Sequence, residues 1–197
     1  MVEIKIIDKA HEKDINIPNE PFTLFGRMIP SYIKEVWSYT ITYFPVESTM
    51  VFPDEHYDYE RMISNSTFIG AYQGDICIGL AIMQEGFLGY MYLYDLKVNS
   101  SYRNLGVAHQ LLTKAEEIAK EKGYIGIFTQ AQDNNLAACL FYLKYGFEIG
   151  GFDNRVYDGS AQAGKADIFF YKRHSLAGSL QTESERKNHA LCDCETE

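Results

Sequence analysis

The chain has 197 residues, of which 46% are hydrophobic, and a net charge of −9 at pH 7 from 27 acidic against 18 basic side chains. This length is enough to bury one sizeable core, and we expect one domain rather than two. The acidic balance argues against a nucleic-acid backbone as partner and is compatible with a cationic one, although acidity for solubility explains it equally well.

No window approaches eighteen consecutive apolar residues, and residues 1–14 alternate charged side chains with Ile and Val. This pattern is neither a signal peptide nor a membrane anchor, so we expect a cytoplasmic protein with no membrane partner. The four cysteines and five histidines lack metal-ligand spacing, which predicts reduced thiols and no metal site.

The first third of the chain favours extended structure. Residues 2–7 alternate in polarity and predict a first strand. Residues 22–29 are apolar and stop at Pro30, and the β-branched and aromatic residues 36–44 predict an extended segment, the second arm of a hairpin, although a helix would tolerate part of it. Acidic residues at the start of 54–64 suit a helix N-terminus and predict a short helix.

The rest of the chain alternates strands with two helices. The predicted strands are residues 67–72, 76–84, 90–98, 124–131, 147–157 and 166–173. Amphipathic helices are predicted at about 105–122 and 135–145, each followed by a glycine stop. The result is an α+β (mixed α/β) domain over 1–173, with a mixed, largely antiparallel sheet flanked by helices, and a disordered or loosely packed tail over 174–197.

An anion site is predicted between the strand 90–98 and the first long helix. The connecting segment reads Arg103, Asn104, Leu105, Gly106, Val107 and Ala108. The free backbone N–H groups of a helix start can bind a phosphate or diphosphate, and Arg103 adds charge. The segment matches neither a P-loop nor GxGxxG, and taken alone it equally fits an ordinary helix start.

A second candidate block lies on the second helix. Asn135, Ala138 and Tyr142 are spaced to share one helical face. An amide, a small gap and a phenol along one face suit a long arm that threads past the helix. Taken alone, the same three residues equally fit a cap, a core alanine and a packing residue.

Together, the R-x-x-G-x-A segment and the N-x-x-A-x-x-x-Y helix resemble the GCN5-related N-acetyltransferase (GNAT) family over residues 67–173. The resemblance implies transfer of an acetyl group from acetyl-CoA, with Tyr142 protonating the departing CoA thiolate. We expect the transfer to be direct, because no cysteine has a recognisable activating partner. Asn104 and Ala108 stand where the family more often has glycine. The cofactor contacts implied are Leu96, Lys97, Val98, Arg103, Asn104, Leu105, Gly106, Val107, Ala108, His109, Asn135, Ala138 and Tyr142.

An amine acceptor needs a group that removes its proton, because an alkyl ammonium has a pKa near about 10.4. A positioned carboxylate or a relayed water supplies such a group. Asp95 is our first choice, with Glu85 and Glu148 in reserve. Strand alternation turns Asp95 away from the face that carries Tyr92 and Tyr94 unless a bulge re-aims it, and orienting the substrate is an equal alternative role.

The N-terminal third narrows the resemblance within the family. Residues 19–22, 26–30 and 129–135, together with Trp37 and the alternating Thr and Tyr after it, resemble streptothricin acetyltransferases. The resemblance implies a small cationic amine as substrate, the β-lysine moiety of streptothricin. Acidic and aromatic side chains suited to such a cation are Glu35, Trp37, Tyr39, Asp54 and Glu55. Alternatives are another small amine, a polyamine, a protein terminus, or a non-catalytic CoA sensor, and a homodimer paired through the closing strands stays open.

Overall fold

A computed structural model of the chain describes residues 1–86 and 88–174. Within these residues the strands are β1 (Glu3–Ile6), β2 (Phe22–Ile33), β3 (Val36–Met50), β4 (Ser66–Gln73), β5 (Ile76–Gln84), β6 (Tyr90–Val98), β7 (Gly126–Gln132), β8 (Glu148–Asp153) and β9 (Asp167–Arg173). The α-helices are α1 (Tyr59–Met62), α2 (Val107–Glu121) and α3 (Leu136–Tyr145), and short 3-10 helices span Lys9–Asn16 and Ser100–Tyr102. Apart from His174, the predicted tail lies outside the described residues.

Seven of the strands form one sheet in the order β1-β4-β5-β6-β7-β9-β8. Every neighbouring pair is antiparallel except β6 and β7, which are parallel and are joined by α2. A parallel pair requires such a crossover, because a tight turn can only join antiparallel neighbours. The predicted mixed, largely antiparallel sheet and the α+β class are thereby confirmed.

Apolar side chains cover both faces of this sheet. The helix α2 packs on one face through a continuous apolar stripe, and the 3-10 helix Lys9–Asn16 covers part of the other. The buried residues of α2 are Val107, Leu111, Leu112, Ala115, Ile118 and Ala119. Ala108, in the first turn of α2, lines the cavity described below, whereas its neighbour Val107 is buried in the core.

The strands β2 and β3 form a separate two-stranded ribbon that is longer than predicted. Both strands run through a proline, so the expected stop at Pro30 is wrong. A proline removes one N–H donor, which a two-stranded ribbon tolerates because each strand has a free outer edge. The two strands are joined by a two-residue turn in which Lys34 and Glu35 both have positive φ, of 51° and 66°.

The predicted helix over 54–64 shrinks to the single turn of α1, capped by Asp58, whose carboxylate accepts from Arg61 N at 3.3 Å. The residues just before α1 form neither helix nor strand, and Glu55 and Tyr57 among them contact Lys97 and Asp95 of β6. The expected closing strand over 147–157 is likewise shorter, because β8 ends at Asp153. Within the described residues no helix is long and apolar enough to cross a membrane.

Candidate active site

A cleft opens where β6 and β7 part. The two strands pair only over Tyr90–Tyr92 and the facing residues 126–128, and beyond this point β6 follows β5 while β7 follows β9. At the fork, the Thr129 hydroxyl donates to the Leu93 carbonyl at 2.9 Å. The cavity that continues from the fork has a volume of about 690 Å³ and reaches the starts of both long helices.

The start of α2 borders this cavity with free backbone donors. The residue before the helix, Gly106, has φ 81°, and Asn104 has φ 61°. The first helical hydrogen bond that reaches Gly106 O comes from Gln110 N, at 3.1 Å. The N–H groups of Val107 and its two successors therefore point out of the helix end, where they and the helix dipole favour an anion.

Arg103 does not project freely from this helix start. Its guanidinium donates to Val98 O at 3.0 Å and to Pro21 O at 2.7 Å, and lies 3.7 Å from the Glu20 carboxylate. It thereby ties an N-terminal strap, residues 18–21, to the end of β6. Of the predicted cofactor positions around the helix start, Arg103, Asn104 and Ala108 line the cavity, whereas Leu105, Gly106, Val107 and His109 lie outside its lining.

The predicted face of α3 forms one wall of the cavity, with Asn135, Ala138 and Tyr142 all in its lining. The side-chain oxygen of Asn135, Oδ1, caps the helix by accepting from Ala138 N at 3.3 Å, so the side-chain amide nitrogen of Asn135 remains for a ligand. Burial raises the pKa of the Tyr142 phenol, outweighing a hydrogen bond with Thr129, so Tyr142 keeps its proton at neutral pH.

A bulge in β6 re-aims Asp95 toward the cleft. Ile82 pairs with Asp95 while the next residue of β5, Met83, pairs with Leu93, so Tyr94 is the extra residue. The side chains of β6 that pack beneath α2 are accordingly Met91, Leu93, Leu96 and Val98, with the alternation shifted by one position. The side chains of Asp95 and Lys97 therefore lie on the opposite face, in the cavity lining.

Asp95 belongs to a partly buried charged network. The Lys97 ammonium lies 3.0 Å from the Asp95 carboxylate and 2.8 Å from that of Glu55, and the Tyr57 hydroxyl donates to Asp95 at 3.1 Å. Burial raises the pKa of Asp95 although Lys97 opposes it. For Glu55, the hydrogen bonds from Lys97 and Asn19 outweigh burial and lower the pKa. Lys97, predicted as a cofactor contact, thus directs its side chain to carboxylates.

Most of the predicted substrate residues lie outside the cavity lining, which contains only Glu55 of that set. Glu35 is in the turn of the β2–β3 ribbon, Trp37 packs on Tyr32 with ring centroids 4.8 Å apart, and Tyr39 is exposed on β3. Asp54 accepts from Asn19 N at 2.7 Å and so holds the strap.

The two reserve carboxylates are also elsewhere. Glu85 pairs with Lys122 at 2.9 Å near the end of α2, and Glu148 is exposed at the start of β8.

Three polar residues of the cavity, which lie close together, were not among the predicted site residues. Asp167 begins β9, Gln132 ends β7 directly opposite it, and the Tyr157 hydroxyl donates to Asp167 at 2.8 Å. One sequence signal points to the first of them, since Asp167 is a charged residue at the start of an apolar strand. Gln132 lies in the segment 129–135 that carries the resemblance, but nothing local assigns it a role, and nothing local marks Tyr157.

A cleft between parting parallel strands, with free amides at a helix start on one side and a carboxylate network on the other, suits a cofactor that carries a diphosphate and a second ligand that carries positive charge. The family model described as "Acetyltransferase (GNAT) family" matches residues 33–147. The chain belongs to this family, and it is an acetyl-CoA-dependent N-acetyltransferase.

The names of similar proteins are more specific than the family name, because they state a substrate. Streptothricin acetyltransferase A of Bacillus subtilis (strain 168) is 38% identical over 161 residues, which span 81% of this chain and 92% of that protein. A protein of Bacillus anthracis str. Ames, assigned as a streptothricin acetyltransferase and crystallised with acetyl coenzyme A, superimposes with a TM-score of 0.79 at 28% identity, covering 88% of this chain and all of that chain. Nourseothricin acetyltransferase shares the fold, with a TM-score of 0.74 at 21% identity over 87% of this chain and 98% of that one.

Proposed function

We propose that this enzyme transfers the acetyl group of acetyl-CoA to an amine of the β-lysine moiety of streptothricin, and so inactivates the antibiotic. The observation that carries the proposal is the 38% identity, along 81% of the chain, with a streptothricin acetyltransferase. The cavity supports it, because four carboxylates, those of Glu20, Glu55, Asp95 and Asp167, line a site that has to attract a polycationic acceptor.

The residues of the cleft fit the cofactor. The outward amides at the start of α2 would hold its diphosphate, and the amide of Asn135 with the backbone edge of β6 over Leu96, Lys97 and Val98 would hold the pantetheine arm. That edge is free for a ligand because β6 and β7 have already separated there. When bound, acetyl-CoA supplies an activated acyl group whose leaving group is a thiolate.

Tyr142 is the acid in this proposal. Its phenol lies in the cavity lining beneath the fork, is only 7% exposed, and stays protonated because burial disfavours the phenolate. A neutral phenol at this position would donate its proton to the departing sulfur. The neighbouring Thr129 hydroxyl can orient it.

Asp95 is the base. Its carboxylate is held by Lys97 and Tyr57, and burial gives it a higher pKa than that of an exposed aspartate, which makes it a better proton acceptor. Glu55, whose pKa is lowered, is the poorer base, and we assign it to attracting the cation.

The cysteines support direct transfer rather than an acyl-cysteine intermediate. Burial raises the pKa of the Cys77 thiol to about 11 and that of Cys139 to about 12, so neither supplies a thiolate at neutral pH. Both are free and buried, as in a reducing compartment such as the cytoplasm. Cys192 and Cys194 lie outside the described residues.

The test follows free thiol while the enzyme is incubated with acetyl-CoA and one acceptor at a time: streptothricin, spermidine, or a peptide with a free N-terminus. We expect release with streptothricin and a modification confined to one amine by mass spectrometry. Release of free thiol with spermidine or the peptide, but not with streptothricin, would contradict the proposal that streptothricin is the substrate. Tight CoA binding without release from any acceptor would indicate a sensor instead.

A further inference from the structure

The carboxylate of Asp167 is buried against the cleft without a cation. It is 4% exposed, belongs to the cavity lining, and accepts a hydrogen bond from the Tyr157 hydroxyl at 2.8 Å. Within residues 1–86 and 88–174, no lysine, arginine or histidine nitrogen lies within 4.0 Å of it. Lys165, two positions earlier, directs its ammonium to Gln162 and Met50 instead.

The other carboxylates of this region differ in having such a partner. Asp95 and Glu55 share the ammonium of Lys97, and the buried carboxylate of Asp133 lies 3.0 Å from the Arg27 guanidinium. Taking an ionised carboxylate out of water is costly unless an opposite charge or hydrogen-bond donors compensate. Asp167 has one donor, the Tyr157 hydroxyl, and no opposite charge among the described residues, so a cation of a ligand would supply the missing compensation.

A second hydrogen-bond acceptor, on Gln132, lies beside Asp167. Gln132 is the register partner of Asp167 on β7, is 7% exposed, and lines the cavity. Its side-chain carbonyl oxygen is buried and finds no hydrogen-bond donor among the described residues. Buried polar atoms of folded proteins are nearly always satisfied, so an orphaned oxygen beside an unneutralised carboxylate marks a site for a group rich in donors.

Asp167 and Gln132 line the same cavity as Asp95 and Tyr92. Burial is the main cause that raises the pKa of Tyr92 to about 12, and the charges of Asp167 and Asp95 add to it. Both carboxylates therefore act on the phenol of Tyr92. An acceptor whose reacting amine is at Asp95 would thus have Asp167 within the same chamber.

We propose that Asp167 and Gln132, supported by Tyr157, form a second cation subsite that binds an ammonium or guanidinium group of the acceptor other than the amine that is acetylated. The proposal rests on the proposed function, because it adds a second anchoring point for the same substrate. Such a subsite selects acceptors with two separated positive charges, since a monoamine satisfies only one of the two carboxylate centres.

The first test is Asp167→Asn, which removes the charge but keeps the volume and an acceptor for Tyr157. We expect the KM for streptothricin to rise roughly tenfold to a hundredfold, as for the loss of a hydrogen bond to a charged group, with kcat and the KM for acetyl-CoA changed less than about twofold. The matched control is Asp153→Asn, which removes the same charge from the register partner on β8, outside the cavity lining. Equal KM values for the two variants would overturn the subsite.

A measurement without turnover separates this proposal from the proposed function. Calorimetric titration of 1,4-diaminobutane and 1-aminobutane into the CoA-loaded enzyme should show tighter binding of the diamine, and Asp167→Asn should remove most of that difference. No difference between the two enzymes would overturn the subsite even if streptothricin is acetylated. A preference for the diamine that depends on Asp167, in an enzyme that does not acetylate streptothricin, would support the subsite and contradict only the proposal that streptothricin is the substrate.

A second variant covers the case in which Asp167→Asn fails to fold. Gln132→Met is expected to weaken diamine binding in the same direction, and unchanged diamine binding would contradict the proposal.

Discussion

At the scale of residues, neighbours decide what each carboxylate of the cleft can do. Asp95 is buried beside an ammonium and a phenol, and its pKa is raised. Glu55 shares the ammonium but is held below its ordinary pKa by its hydrogen bonds. For Asp167, burial raises the pKa with only the Tyr157 hydroxyl to oppose it. In our proposals these three carboxylates of one cavity serve respectively as the base, as the group that attracts the cation and as the anchor of a second positive charge.

The acid role of Tyr142 predicts a selective loss of turnover. Tyr142→Phe should lower kcat by about 10²–10⁴, the usual worth of a positioned proton donor, with little change in the Kd for acetyl-CoA. Steady-state kinetics and calorimetric binding of CoA measure the two effects.

Tyr145→Phe is the matched control for this prediction. It removes a hydroxyl from the same helix, one whose only side-chain partner within the described residues is Thr113 at 3.4 Å, outside the cavity lining. Its kcat should stay near that of the wild type. A Tyr142→Phe enzyme with unchanged kcat would remove the acid role.

The Lys97 ammonium predicts a pH effect with a definite sign. The rate falls at low pH as the base becomes protonated, and Lys97 opposes the rise in the pKa of Asp95. In Lys97→Met that opposition is lost, the pKa of Asp95 rises further, and the acidic limb of kcat/KM moves to higher pH. The pH profile of kcat/KM measures the shift.

The comparison variant is Lys114→Met, which removes an exposed ammonium paired with Glu117 on α2. Its acidic limb should coincide with that of the wild type. A limb that stays in place in Lys97→Met, or moves to lower pH, would contradict the assignment of Asp95 as the base.

At the scale of elements, two local irregularities build the cleft. The bulge at Tyr94 shifts the alternation of β6, and the left-handed Gly106 directs the chain into α2 with its first amides outward. Both are backbone features, so a substitution there changes the geometry of the site without removing a functional side chain.

Gly106 and Gly123 offer a matched pair for testing the helix start. Both have positive φ, of 81° and 82°, and a Cβ added at either would meet nothing within 4 Å. Alanine at either position should therefore cost a similar ~1–2 kcal/mol of stability through backbone strain alone. Thermal unfolding of the two variants measures this shared cost.

The two variants should differ in cofactor affinity. Gly106→Ala disturbs the amides that would hold the diphosphate, and we expect the KM for acetyl-CoA to rise roughly threefold to tenfold. Gly123→Ala lies at the other end of α2 and should leave this KM unchanged. The same KM in both variants would show that the helix start does not bind the cofactor.

At the scale of the whole molecule, the N-terminal segments cover the acceptor side of the sheet. Arg103 ties the strap at 18–21 to β6, and the Glu55–Lys97 pair ties the irregular segment before α1 to the same strand. In the proposed reaction β6, α2 and α3 hold the acetyl donor, and these earlier residues complete the part of the cavity that takes the acceptor.

The net charge of −9 predicts salt-dependent capture of a polycation. Raising ionic strength from about 0.02 M to 0.3 M screens the field and should lower kcat/KM for streptothricin several-fold, by roughly three to ten times. The same titration with a monoamine acceptor that shows measurable turnover should give a weaker dependence. An equal dependence of kcat/KM on ionic strength for the two acceptors would argue against electrostatic steering.

The sequence by itself determined the elements whose pattern is local. The apolar stripe of α2, the glycine stops, the helix-face spacing of Asn135, Ala138 and Tyr142 and the alternating strands are each encoded within one or two turns or a few strand residues, and they suffice for the fold class and the donor. The errors of length in β2, β3 and α1 occur where tertiary packing overrides local propensity.

Only the tertiary structure decided the acceptor side. The direction of Asp95 depends on a bulge that exists only in the pairing of β6 with β5. Gln132 and Asp167 meet through the register of β7 with β9, although 35 positions separate them in the chain. Trp37 and Tyr39 are aromatic side chains suited to a cation, but they lie in a part of the β2–β3 ribbon that is outside the cavity lining. Contacts between residues distant in sequence are fixed by strand pairing and register, which no local pattern encodes.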